Sequence, residues 1–162
     1  LPISVPDVAR RSGASVATIY RYFPSKDALF EAAAMEPAAR AAGPLPDERD
    51  LEHGGRYLEQ MWTAFAQNMA LLRHQLGSDA GREMRANRYE ASRRWFADAV
   101  TARGVDPSSY EGERLVRLSL LLTSSLAFVD LHDRQGVDAV TAAADVTWAI
   151  EALEAATAKE SS

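Results

Sequence analysis

Apolar residues recur along this chain at three- and four-residue steps, the spacing of one helical face, and no stretch sustains the alternation of a half-buried strand. The clearest stripe is Leu58, Met61, Trp62, Phe65, Met69, Leu72 and Leu76. It predicts one long amphipathic helix over about 51–76, with its start delayed by Gly54-Gly55. Gly77 and Gly81 are expected to break it. A helix over about 83–102 carries Met84, Tyr89, Trp95, Phe96 and Val100, then stops at Gly104 with Pro107 behind it. The most apolar helix spans about 110–134 and presents Leu115, Leu118, Leu121, Leu122, Leu126 and Val129. Gly136 separates it from a last helix over about 138–158 bearing Val140, Val146, Ile150 and Leu153. The expected fold class is all-α.

The first forty residues are more heavily punctuated. Ser4 before Val5-Pro6-Asp7 is an N-cap with proline in the first turn and a carboxylate at the third helical position, resembling a capping box. Gly13 closes that helix. Ser15 caps a second one running to about Phe23, where Pro24 removes an amide and disfavours helical geometry in its predecessor. Ser25 caps a third, from Lys26 to about Met35, ended or kinked by Pro37. Two short helices joined at Gly13-Ala14 form a helix-turn-helix pattern, for which Val8, Ala9, Val16, Ile19 and Phe23 supply a small core. Gly43-Pro44-Leu45-Pro46 reads as a linker, dividing a head (1–42) from a body (47–160).

Composition removes several classes. The 162 residues are 47% hydrophobic and 25% charged and contain no cysteine, which excludes disulfides, thiolate nucleophiles and cysteine-ligated zinc. Apolar runs such as Ala32–Met35 and Leu126–Val129 fall far short of a membrane span, and no leader pattern opens the sequence. Charge is uneven: residues 1–30 hold four cations against two carboxylates, a balance of +2, so the remainder carries −7 of a total of −5. A mildly basic head on an acidic body suits contact with phosphates through one end only.

The run Thr18-Ile19-Tyr20-Arg21-Tyr22-Phe23-Pro24-Ser25-Lys26, followed by Leu29, with Ser4 to Ala17 before it, closely resembles the DNA-binding signature of TetR/AcrR-type regulators. The resemblance implies an N-terminal helix-turn-helix DNA-binding domain followed by a larger helical effector-binding and dimerisation domain. It also implies a first helix upstream of the motif, expected to precede Leu1. Matched position by position, Ser15, Val16, Ala17, Thr18, Tyr20 and Arg21 are the groove-facing residues, while Tyr22 and Lys26 correspond to phosphate contacts. The chemistry agrees. Lys26 stands at a helix N-terminus, where an ammonium and free amides share one phosphate. Arg21 suits a bidentate guanine contact, and Val16 and Ala17 suit thymine methyl groups. Pro6 departs from the polar residue often found there, so part of the specificity is expected to come from DNA shape.

For the body, the resemblance implies a small-molecule effector and a two-fold dimer formed by helices about 110–134 and 138–158, with Ala142, Ala143, Ala144, Ala149, Leu118, Leu122, Val146 and Leu153 as close-packing material. The expected effector cavity, of largely apolar character, is lined by Leu58, Met61, Trp62, Phe65, Met69, Trp95, Phe96 and Phe128. Arg73, His74, Gln75, Arg88 and His132 are open candidates for its polar anchor. The implied function is a cytoplasmic repressor released from a palindromic operator when an effector tilts the connecting helix, about 26–36. The alternative is a helical small-molecule or protein-binding module without DNA function. His53, His74 and His132 are scattered, and the chain has no HExxH motif, glycine-rich phosphate loop or nucleophile elbow. No catalysis, metal or cofactor is therefore expected.

Overall fold

The computed structural model describes residues 4–29, 32–33, 44–47 and 49–160, apart from the side chains at 80, 84, 87 and 158–160. Among them every regular element is a helix. The expected end of the third helix at Met35 and Pro37, the residues bounding the head at 42, and the Met84 side chain lie outside the described residues.

The head forms from local signals. α1 (Val5–Ser12) is capped by Ser4 and ends at Gly13, whose φ of 71° is the left-handed conformation that glycine adopts without steric cost. Ser4 Oγ also donates to Asp7 Oδ2 at 2.6 Å, and this hydrogen bond, ahead of the nearby Arg10, holds the Asp7 carboxyl below its usual range. α2 (Val16–Tyr22) begins at Ser15, whose Oγ accepts the Thr18 amide at 3.0 Å. α3 is helical at 26–29 and 32–33, and Ser25 Oγ accepts the Ala28 amide at 3.0 Å. Val5, Ala9, Ile19 and Leu29 are buried together, with Val8, Ala14 and Phe23 against them. Val16 is 39% exposed and does not join this core: it sits in the first turn of α2, beside the solvated cap, and Val5 fills the interior instead.

The body departs from the expected helices at two places. The helix over 51–76 is two, α4 (Leu51–Gln67) and α5 (Met69–Gly77). Asn68 separates them: its Nδ2 donates to the Ala64 carbonyl at 2.9 Å, a side-chain bond that competes with the helical ladder. The helix over 110–134 is likewise two, α7 (Tyr110–Leu122) and α8 (Ser125–Gln135), bent by 52°. Here Thr123 Oγ1 donates back to the Ser119 carbonyl at 2.8 Å, and Ser124 starts a new helix by accepting the Ala127 amide at 3.1 Å.

Gly81 does not end a helix. α6 (Asp79–Ala102) starts four residues before the expected boundary because Ser78 Oγ caps the Gly81 amide. Nor do Gly54-Gly55 delay α4, which Asp50 caps from Leu51 onward. A Cβ on Gly54 would lie 3.0 Å from Trp95 Cη2, and one on Gly55 3.0 Å from Thr147 Oγ1. The two glycines therefore leave room for the Trp95 ring reaching across from α6 and let α9 (Ala139–Glu160) approach α4 closely.

The main core lies where α4 packs on α9, with α8 closing one side. Trp62 and Phe128 are fully buried there, their ring centroids 5.3 Å apart, and His132 stacks on Phe128 at 5.5 Å. Ala142, Ala143 and Val146 are buried in this same core, and Leu122 and Leu153 pack inside the chain. For Ala142, Ala143 and Val146 the expectation of a place in a subunit interface is corrected: these small residues are used to bring α9 against α4. A smaller cluster of Val100, Leu115 and Val116 joins α6 to α7. No single helix among the described residues is long and apolar enough to cross a membrane.

Candidate functional site

On α2 the buried Ile19 turns inward and its neighbours turn out. Ser15, Ala17, Tyr20, Arg21, Tyr22 and Lys26 are exposed, Val16 is largely so, and Thr18 is half-buried. The outward row runs continuously from the N-terminus of α2 to the first turn of α3. Ser15 Oγ and Thr18 Oγ1 share a hydrogen bond at 2.8 Å, which holds both hydroxyls at the start of α2. Arg21 lies over the Tyr22 ring, its Cζ 5.1 Å from the centroid, so the guanidinium is braced by an aromatic that is itself 68% exposed. Hydroxyls, a braced guanidinium and an ammonium at a helix start make a surface that offers donors to phosphates and base edges. Arg10 is held by Asp7 on the outer side of α1.

The body contains two adjoining cavities, of about 80 and about 260 Å³. Leu58, Met61, Trp95 and Phe96 line the first, while Met61 and Phe65 line the second. Trp62 and Phe128 line neither, because their rings fill the core behind. Met69 is half-buried against that core and also lines neither. Trp95 is fixed in the wall of the first cavity: its Nε1 donates to the Pro46 carbonyl at 2.8 Å, and its ring meets Phe96 edge-on at 5.1 Å. Leu45 and Pro46, read from sequence as linker, thus form part of that wall.

Among the open candidates for a polar anchor, Arg88 lines both cavities and Gln75 the second. Arg73 forms a two-point ion pair with Asp133, with distances of 2.7 and 3.2 Å. His132 is engaged with Phe128 and with the Val137 carbonyl, and His74 faces Asp27 of the head. Tyr57, Ser92, Thr123 and Thr147 also line the first cavity and went unnoticed in the sequence. A signal existed: Arg85, Arg88, Ser92 and Trp95 follow at three- and four-residue steps on one side of α6. Among the described residues no group of three His, Asp or Glu is placed to hold a metal ion.

The family model described as bacterial regulatory proteins, tetR family, matches residues 2–33, the segment containing α1, α2 and the start of α3. No curated protein and no solved structure matches the chain.

Proposed function

We propose that this chain, whose residues 2–33 match the family of bacterial regulatory proteins described as tetR, is a DNA-binding transcriptional regulator of that family, a repressor released from a palindromic operator by a small molecule. The observation that carries the reading is the outward row from Ser15 to Lys26 around the buried Ile19. In this reading α2 enters the major groove, Arg21 reads a guanine, and Tyr22 and Lys26 hold phosphates. The chain works as two domains, 1–42 on DNA and 47–160 on effector and partner subunit.

One head makes too few base contacts for useful specificity, and a two-fold dimer doubles them. Material for such an interface remains exposed outside the core. Val140, Ala144 and Trp148 recur every four residues along α9, with Trp148 69% exposed, and Leu121 and Leu126 flank the α7–α8 bend. Effector in the cavities shifts the population between two head spacings. The route runs through α5, which contributes Gln75 to the second cavity and His74 to the contact with Asp27. The test is a shift assay on the promoter beside its own gene across a range of salt. An affinity whose logarithm falls linearly with the logarithm of salt supports the reading, and salt-insensitive or absent retardation overturns it.

A further inference from the structure

We infer that the body cavities take an amphipathic monocarboxylate, with its carboxylate on Arg88 and its apolar portion against Leu58, Trp95 and Phe96; this rests on the effector-binding reading above and names the ligand class. The argument begins with charge. Arg88 lines both cavities, and its Nη2 donates to Tyr57 Oη at 3.1 Å and to Met61 Sδ at 3.5 Å, neither of which carries charge. No described carboxylate pairs with it, whereas Arg73 is matched by Asp133 and Arg103 by Glu154. The second cavity adds Arg85, which is spent on the Gln75 and Leu76 carbonyls at the end of α5. Neither cavity has an Asp or Glu among its described lining residues. The lining is therefore positive, and the rest of the first cavity is mostly apolar.

A half-buried guanidinium facing an apolar space loses hydration without gaining a counter-charge. An anion brought to it recovers that loss, and the planar fork matches a carboxylate at two points. The hydroxyls of Ser92 and Thr123, which line both cavities beside Arg88, suit the remaining oxygen lone pairs. Tyr57 orients the guanidinium by accepting from its Nη2. A neutral ligand of the same shape would leave the charge as it is, so the structure favours an acid over its alcohol or ester.

The test uses the full chain and straight-chain carboxylates from octanoate to dodecanoate, with 1-alkanols and methyl esters of matching length, titrated by calorimetry and by Trp95-dependent fluorescence. The acids are expected to bind about tenfold tighter or more than the alcohols and esters. Arg88→Met is expected to remove that preference while leaving alcohol binding in place, and Arg88→Lys to keep part of it; thermal melts of both variants check folding. Equal binding of acid and alcohol to the unaltered chain overturns the proposal without recourse to any variant, as does an acid preference that survives in Arg88→Met. Binding of neither class overturns it too, and the promoter shift assay then reads the regulator function independently. If acids bind in the predicted way but never release DNA, the cavity assignment stands and the effector-release reading falls.

Discussion

His74 Nε2 of α5 stands 3.5 Å from Asp27 Oδ1 at the start of α3, so the body touches the head through a polar pair directly beside Lys26. The same short helix supplies Gln75 to the larger cavity, and Arg85 of α6 grips its final carbonyls. If this contact relays effector binding, Asp27→Asn and His74→Gln should each lower the ratio of operator affinity without and with effector. The double variant should do no more than either single one. Because Asp27 is 68% exposed, the coupling is expected at about 0.2–1 kcal/mol, measured by a double-mutant cycle on operator titrations. Full additivity would show that the pair carries no coupling.

Residues of the outward row should separate by their salt behaviour. Lys26→Gln is expected to weaken operator and non-specific DNA alike and to reduce the slope of log affinity against log salt by about one. Tyr22→Phe should lower affinity with the slope unchanged, since it removes a hydrogen bond and no charge. Fluorescence anisotropy over a salt series distinguishes the two.

Arg21 should instead change sequence preference. Selection of Arg21→Ala against a randomised site library is expected to relax one position by about 1–3 kcal/mol. Tyr22→Leu, which takes away the ring under the guanidinium, should blur the same position less strongly. Unaltered preference at every position would rule Arg21 out as a reader.

The aromatic centre sets stability. Phe128 is fully buried against Trp62 and Phe65, at centroid distances of 5.3 and 6.1 Å. Phe128→Ala is expected to cost about 3–5 kcal/mol in urea unfolding. Trp62→Phe should cost less than its lost area suggests, because Trp62 Nε1 is buried with no hydrogen-bond partner among the described residues and the substitution removes that donor. Equal losses for the two variants would contradict this.

Acid should weaken the fold in a defined direction. Asp50, Asp133 and Asp138 are all held below the ordinary aspartate value of 3.8: Asp50 by the His53 amide, Asp133 by Arg73, and Asp138 by the Thr141 amide. A carboxyl with a folded pKa below its unfolded value contributes stability above the unfolded value, and loses it as pH falls through the folded one. Glu154 runs the other way: burial raises its pKa against the pull of Arg103, so its contribution fades as pH rises through the raised value. Melting temperature is expected to fall as pH drops from about 5 to about 2.5, and Asp138→Asn should flatten that slope.

What the sequence determined by itself was whatever rests on partners three or four residues away. Ser4, Ser15 and Ser25 cap their own helices, Gly13 turns the chain, and the alternation of Ile19 with its outward neighbours follows from helical period alone. The breaks at Asn68 and at Thr123-Ser124 are also local in cause, but a continuous apolar stripe runs across both and conceals them. Tertiary structure decided the rest, because burial depends on residues far along the chain. Trp62 and Trp148 are the same residue type, each on a long helix, and only the packing of α4 on α9 makes one fully buried and leaves the other outside. Arg88 and Tyr57 likewise meet only because side chains of α6 reach across to α4, where Gly54 leaves room for Trp95, and that meeting puts a guanidinium with no carboxylate partner among the described residues beside an apolar cavity.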